Sequence, residues 1–196
     1  MGRDRDPFDR TIAFVREQIA TLAPLQGGVI SINGLAHTLD VSHTPVREAL
    51  ATLAGEGLIV RTDAGYAGVT HDPTTLAALY DLAEVQIVRA VGALDGTCID
   101  FADATSFDAG LERIVAAAGH VALKEVYRRL AGQLGPFTSA AAKTLGDGDT
   151  ALINLVDAFA TVDRRRRSLA VRTPLQRRKR SAGRILAVAL GLNGGR

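Results

Sequence analysis

One stretch of sequence decides the fold of this chain: Ser42-His43-Thr44-Pro45-Val46-Arg47-Glu48-Ala49-Leu50. Val46 and Leu50 are four residues apart and Leu53 follows three residues later, which is the spacing of an apolar stripe along one side of a helix. His43 and Arg47 share a different face near the helix start. Free backbone N–H groups at a helix start attract phosphate. A helix with one buried side and donors at its exposed start predicts a DNA recognition helix.

Two further helices are predicted before this stretch. Asp6 and Pro7 suit the first positions of a helix. Apolar residues then recur at helical spacing to about residue 23, namely Phe8, Ile12, Val15, Ile19 and Leu22. Pro24 and a glycine pair end this helix. A second helix is predicted at about residues 31–39, followed by a tight turn into the opening stretch.

A β-hairpin is predicted directly after the recognition helix. Residues 58–61 and 66–70 are rich in β-branched and aromatic side chains, and residues 62–65 between them are typical of a turn. A hairpin that follows a helix-turn-helix is a wing. The sequence therefore predicts a winged helix-turn-helix domain over residues 1–71.

Residues 72–196 are predicted to form a second domain that is entirely helical. Asp72 and Pro73 suit the start of a long helix that runs to about Leu94. Further helices are predicted at about residues 106–118, 121–134, 137–145, 149–172 and 176–190, with Pro174 as the last break. The expected fold class is mostly α, with an N-terminal winged helix-turn-helix domain followed by an all-α helical bundle.

Charge is distributed very unevenly along the chain. Residues 1–71 carry 6 basic and 8 acidic side chains (−2), residues 72–163 carry 6 and 13 (−7), and residues 164–196 carry 11 and none (+11). The basic tail has three interpretations. The arginines at 164–167 complement the dipole at the end of the predicted helix 149–172, or the tail contacts phosphate, or it pairs with the acidic segment. Pairing is favoured.

Several classes of protein are not expected from this sequence. Cys98 is the only cysteine, which excludes an intrachain disulfide and a cysteine-rich zinc site. The chain shows no phosphate-binding loop and no nucleophile elbow, so we predict no catalytic residues, no cofactor and no enzyme activity. The charged start is unlike a signal peptide and the late apolar run is far shorter than the ~20 residues of a membrane span, so a cytoplasmic protein is expected.

Residues 31–69 carry a family resemblance. The pattern V-S-x-T-P-V-R-E-A-L followed by L-x-x-E-G-L closely resembles the GntR family of bacterial transcription regulators. The resemblance implies a dimeric winged helix that binds an operator through the recognition helix, the start of the preceding helix and the wing. The residues that it assigns to DNA binding are Asn33, Ser42, His43, Thr44, Arg47, Arg61, Gly65 and Tyr66. His43 stands where the family usually has arginine, which implies altered base preference. Packing of the wing is an equal alternative for Tyr66.

The segment Leu79-Tyr80-Asp81-Leu82 resembles the start of the effector domain of the FadR-like branch, also called the FCD domain. That branch carries an Asp and three His that hold a metal. The best register places Leu123 at the Asp and Tyr127 at the first His, and no histidine follows His120. We therefore predict no metal site.

The leading expectation is a homodimeric repressor whose affinity for double-stranded operator DNA is modulated by a small molecule, of unknown identity, bound in the helical domain. The alternative is a DNA-binding protein without an effector, whose helical domain serves only dimerisation or protein partners. The absence of the metal-binding histidines favours this alternative. A protein without an effector would have a filled helical core and no ligand cavity.

Overall fold

The computed structural model describes residues 6–20, 26–94 and 97–192. The chain forms two compact units, Met1–His71 and Asp72–Arg196. The first unit combines helices with a small sheet, and helices are the only regular structure in the described part of the second unit. The fold class predicted from the sequence is confirmed. None of the described helices combines the length and apolar character that crossing a bilayer requires.

Over residues 6–20 and 26–71, the first unit has three helices and a three-stranded antiparallel sheet with the strand order β1-β3-β2. In chain order its elements are α1 (Pro7–Ala20), β1 (Val29–Ile30), α2 (Ile32–Leu39), α3 (His43–Gly55), β2 (Ile59–Thr62) and β3 (Gly65–Gly68). The three predicted helices and the wing are confirmed, except that residues 21–23 of the first helix lie outside the described residues. The strand β1 was not predicted, because two residues are too few to show alternation.

The buried face of α3 forms the centre of this unit. Val46, Leu50 and Leu53 have no exposed surface and pack with Val15 of α1 and Ile59 of β2. Burying one such aliphatic side chain stabilises a fold by about 1.5–3 kcal/mol. These contacts fix the orientation of α3, so its opposite face at the N-terminus remains in solvent.

A left-handed residue makes the turn between α2 and α3. Asp40 has φ of 50°, and its backbone N–H donates to the end of α2. The guanidinium of Arg10 in α1 also donates to the carbonyl of Leu39. Both contacts satisfy carbonyl groups that the end of a helix leaves without intrahelical donors. The turn is therefore held from both sides, and it sets the point at which α3 begins.

The second unit is a bundle of seven helices among the residues described. They are α4 (Pro73–Gly92), α5 (Phe107–Ala117), α6 (Val121–Leu134), α7 (Thr138–Leu145), α8 (Gly148–Phe159), α9 (Arg164–Arg180) and α10 (Ala182–Ala189). A short 3₁₀ turn, Gly135–Phe137, precedes α7. Asp72 caps α4 by accepting hydrogen bonds from the backbone N–H groups of Thr74 and Thr75.

The longest helices, α4 and α9, pack against each other in antiparallel directions. Lys179 near the end of α9 pairs with Asp81 in the first half of α4. A side chain placed at Gly92, at the end of α4, would collide with the guanidinium of Arg164 at the start of α9. The buried residues of α4 include Tyr80 and Ile87.

The prediction of one helix over residues 149–172 is wrong. The break lies at residues 160–163, and Pro174 lies inside α9. Asp163 starts the new helix, because its carboxylate accepts from the backbone N–H groups of Arg165 and Arg166. Proline inside a helix costs about 3 kcal/mol, and the burial of Val171 and Leu175 against the bundle offsets this cost.

The same correction moves the arginines at 164–167 to the start of a helix, where they oppose its dipole. Arg167 is buried and donates to the carbonyls of Phe159 and Thr161, so it satisfies the end of α8. Pairing of the basic tail with the acidic segment is confirmed for four residues of α9. The pairs are Arg172–Glu84, Arg177–Asp147, Arg178–Asp108 and Lys179–Asp81.

Candidate DNA-binding surface

The N-terminus of α3 exposes a group of polar side chains. Ser42 is the N-cap residue with extended backbone, yet its hydroxyl makes no capping hydrogen bond. His43 and Thr44 follow in the first turn, and both are exposed. Because Pro45 has no N–H, the free backbone donors of this turn come from its neighbours. The start of α3 therefore offers hydroxyl, imidazole and backbone donors to an anion.

Arg47 lies one turn further along the same exposed face. It is exposed, while Val46 beside it is fully buried. Within residues 6–20, 26–94 and 97–192, no carboxylate forms an ion pair with Arg47. Its guanidinium is thus available to a phosphate or to the edge of a base, and an arginine can grip guanine through two hydrogen bonds.

The start of α2 contributes Asn33. Ser31 caps α2 by accepting a hydrogen bond of 3.0 Å from the backbone N–H of Gly34. Asn33 lies between them in the first turn and is exposed. The cap thus satisfies a backbone donor without using the Asn33 amide, which remains in solvent with both a donor and an acceptor.

The wing is a tight hairpin in which Arg61 pairs with Tyr66 and Thr62 pairs with Gly65. Gly65 has φ of +131°, a conformation that side chains rarely adopt. Residues paired across an antiparallel ladder share one face, so Arg61 and Tyr66 are neighbours. Arg61 is exposed, whereas Tyr66 is half-buried and packs against the core of the first unit. Packing is therefore a role of Tyr66, and Arg61 carries the positive charge of the wing.

The predicted site residues thus lie at the starts of α2 and α3 and at the wing, and all of them except Gly65 and Tyr66 are exposed. The unit that carries them has a net charge of −2 over residues 1–71. Its positive groups on these surfaces are Arg47 and Arg61. A surface of this kind relies on a few placed side chains, because it lacks the broad basic field that attracts DNA without regard to sequence.

The helical unit contains a polar cluster that sequence reasoning missed. Arg178 donates to both carboxylate oxygens of Asp108, and its guanidinium lies 5.0 Å from the ring centre of Phe107. Burial opposes the charge of Arg178, but the Asp108 carboxylate raises the pKa of its guanidinium above the ordinary value. The two partners are 70 residues apart in sequence, so no local pattern could have indicated the pair.

Two buried tyrosines, Tyr80 and Tyr127, border this cluster. Burial raises the pKa of both phenols above the ordinary value, and the guanidinium of Arg178 opposes the shift. Tyr127 takes the position at which the family resemblance places a metal-binding histidine. Among the described residues, no group of three His, Cys, Asp or Glu side chains is close enough to hold a metal ion. The ion pair of Arg178 and Asp108 and the two buried tyrosines lie in this part of the helical unit.

An open groove of about 310 Å³ lies between α8 and α9. Polar groups from both helices line it, together with Ala170 and Pro174 of α9. Because Pro174 has no N–H, the carbonyl of Ala170 lacks its usual helical donor. The polar side chains that line the groove are Asp147, Thr150, Asn154, Asp157, Arg166, Thr173 and Arg177.

Comparisons with known proteins agree with this geometry. Residues 9–65 match the model of the bacterial regulatory proteins of the gntR family. A search of curated proteins finds no match. Among solved structures, a transcriptional regulator described as GntR from Rhodococcus sp. RHA1 has a TM-score of 0.72 at 17% identity, covering 96% of this chain and 99% of that one.

Two further structures share the fold at equally low identity. McbR/YncC of Escherichia coli has a TM-score of 0.68 at 15% identity, over 95% of this chain and 98% of that one. Lar of Listeria monocytogenes, described as controlling expression of the agr system, has a TM-score of 0.59 at 15% identity, over 93% and 99%. These likenesses extend over both units. The match over residues 9–65 identifies a DNA-binding domain of the gntR family of bacterial regulatory proteins in the N-terminal unit, and the structural likenesses show that the chain shares its fold with these three proteins.

Proposed function

We propose that the protein is a homodimeric repressor that binds a two-part operator through α3, the start of α2 and the wing. The observation that carries the proposal is the two-sided character of α3. Its core face is fully buried at Val46, Leu50 and Leu53, while Ser42 and Arg47 remain in solvent at its N-terminal end. A helix held in this way keeps its hydrogen-bond donors in a fixed position relative to the domain. Sequence-specific recognition of a major groove requires donors that are positioned in this way.

Sequencing of genomic fragments retained by the purified full-length protein tests this proposal. We expect a pair of half-sites related by two-fold symmetry and separated by about one helical turn of DNA or a multiple of it. Deleting the gene should raise transcription from the neighbouring promoter. Fragments that share no motif would contradict specific binding, and a single unpaired motif would contradict the homodimer.

We further propose that the helical unit belongs to the FadR-like branch and that a small molecule binding in the groove between α8 and α9 modulates DNA affinity. The volume of about 310 Å³ is at the small end of the range of ligand pockets. Hydroxyl, amide, carboxylate and guanidinium groups line it, a set that suits a polar metabolite with several hydroxyl groups. The ligand would act through its different affinity for the DNA-bound and free states.

A thermal-shift screen with sugars, polyols and hydroxy acids tests the effector. Compounds that raise the melting temperature are then added to operator-binding titrations. Asn154→Leu and Thr173→Leu fill the groove with apolar atoms and should remove the response, while Ile153→Leu on the exposed side of α8 serves as the control. A response that survives both groove substitutions would exclude the groove.

The second candidate function is a regulator without an effector, and one observation favours it. The centre of the helical unit is occupied by the ion pair of Arg178 and Asp108, and both Tyr80 and Tyr127 are buried around it. If these side chains fill the core, it has no space for an effector. The helical unit would then serve only dimerisation and partner binding. Operator affinity that is unchanged by every compound that shifts the melting temperature would support this candidate.

A further inference from the structure

The exposed side of α4 carries an apolar stripe. Ala78, Leu82 and Val85 follow one another at spacings of four and three residues, and Arg89 continues the line. Leu82 is 47% exposed and Val85 is 62% exposed. The core side of the same helix is already buried within the bundle. A helix with one buried apolar face has no need of a second one in water, so the stripe indicates a surface that another molecule covers.

Polar pairs border the stripe along its α9 side. Arg172 forms an ion pair of 3.5 Å with Glu84, and Lys179 forms one of 2.5 Å with Asp81. An apolar centre with a charged rim is the usual anatomy of a protein interface. Two adjacent helices about 30 Å long and ~10 Å wide offer a strip of ~600 Å², which approaches the ~800 Å² of accessible surface that each partner of a stable complex buries.

The charges along α4 are complementary to themselves under two-fold symmetry. Asp81 lies in the first half of the helix, and Arg89 lies in its last turn. In the part of the chain that the structure describes, no ion pair engages Arg89. An antiparallel pairing of two α4 helices about an axis between Leu82 and Val85 brings each Arg89 within about three residues, or ~4.5 Å of helix axis, of the partner's Asp81. That offset is within reach of an arginine side chain.

Another exposed apolar stripe lies on α8, but the charges beside it are not complementary under two-fold symmetry. Ile153 is 59% exposed and Val156 is 40% exposed. The charged residues that flank them on the exposed side are Asp149 and Asp157, which are both acidic. A two-fold pairing of α8 would therefore oppose carboxylates to carboxylates, and like charges across an interface cost affinity.

We propose that the stripe of Ala78, Leu82 and Val85 is the homodimer face, and that two α4 helices pair antiparallel with Arg89 of each copy against the partner's Asp81. This inference rests on the homodimer of the proposed function and names its contact surface. Because the contact is isologous, each substitution acts twice in the dimer. Since α4 follows the wing directly in the chain, pairing through α4 would couple the two recognition units through one central helix pair.

Sedimentation velocity of the full-length protein at micromolar concentration tests the face. We expect a dimer for the unmodified chain and a monomer for Leu82→Glu/Val85→Glu. The two introduced carboxylates of each copy would repel the same two carboxylates of the partner across the two-fold axis. The matched control is Ile153→Glu/Val156→Glu, which places the same charges on the α8 stripe and should remain dimeric. All four positions are exposed at least in part, so circular dichroism should be unchanged in both variants.

A charge-reversal cycle then tests the register. Arg89→Asp and Asp81→Arg should each raise the dimer dissociation constant at least tenfold, and the double variant should recover most of the loss. Lys179→Ala removes only the intrachain partner of Asp81 and should leave the dimer intact. A monomeric unmodified chain would overturn the homodimer itself. A dimer that survives the α4 glutamates, or that the α8 glutamates break, would overturn this face alone, and a failed charge recovery would overturn the register.

Discussion

Arg178 and Asp108 form an ion pair with two hydrogen bonds inside the helical unit, with Nη1 to Oδ1 at 2.5 Å and Nη2 to Oδ2 at 3.1 Å. The side chain of Arg178 is only 7% exposed. Its positive charge is stabilised mainly by this carboxylate from a different helix, with contributions from Asp147 and from the face of the Phe107 ring. The pair ties α9 to the first turn of α5.

Removing the charge of Asp108 should destabilise the helical unit strongly. Asp108→Asn leaves a buried guanidinium without its counter-charge, and breaking a buried pair from one side typically costs about 3–5 kcal/mol. Urea unfolding followed by circular dichroism measures the loss. The control is Asp103→Asn, whose partner Arg113 lies at the surface and whose loss should be at most about 1 kcal/mol. Equal losses in the two variants would contradict a structural role for the buried pair.

Replacing both partners should be much milder than replacing one. In Asp108→Leu/Arg178→Met neither charge remains to be compensated, and apolar replacement of a buried pair is often neutral or stabilising. The same urea titration measures the effect. A double variant as unstable as Asp108→Asn would show that the two hydrogen bonds, and not the charge balance, hold α5 and α9 together.

Arg47→Ala should weaken operator binding without unfolding the protein. The side chain is exposed and contributes nothing to the core, while a specific contact to a base is worth about 1–3 kcal/mol, or roughly 5–150-fold in affinity. Fluorescence anisotropy with the selected operator measures the loss, and the melting temperature checks the fold. Arg128→Ala on α6 serves as the control for loss of one exposed arginine. Full affinity in Arg47→Ala would refute the assignment of α3 as the recognition helix.

His43→Arg should change the base preference at one position of each half-site. Imidazole offers at most two donors on one ring, whereas guanidinium binds the O6 and N7 atoms of guanine together. Parallel selections from random DNA, with the unmodified protein and the variant, should give motifs that differ at that position by a gain of guanine. Identical motifs would mean that His43 does not reach a base.

The salt dependence of operator binding should depend on charged residues of the first unit and not on those of the basic tail. Each phosphate contact contributes about 0.9 to the slope of log K against log salt, so Arg61→Gln at the wing should flatten the slope of a dimer by roughly two. Arg180→Gln/Arg184→Gln removes two exposed charges of the tail and should leave it unaltered. Flattening in this second variant would assign phosphate contacts to α9 and α10.

The recognition helix could be predicted because everything that defines it is local. The stripe of Val46, Leu50 and Leu53 and the N-terminal polar residues lie within twelve positions of one another. The helix boundaries of the bundle were harder to predict, because they depend on contacts between residues that are far apart in the sequence. Pro174 is a strong local signal for a helix end, but burial of α9 against α4 outweighs it, and the actual break depends on a single capping residue, Asp163. The pairing of Arg178 with Asp108 depends on tertiary structure alone.

The few positive groups of the first unit also bear on how the protein finds its target in a chromosome. Arg47 and Arg61 are its exposed cations at α3 and the wing, and the rest of the unit is net acidic. Attraction to arbitrary DNA comes almost entirely from such charges. We expect a regulator built in this way to spend little time sliding along unrelated sequence and to sample many sites in brief collisions. It should stay only where the bases in the groove complete the hydrogen bonds that its helix leaves unpaired.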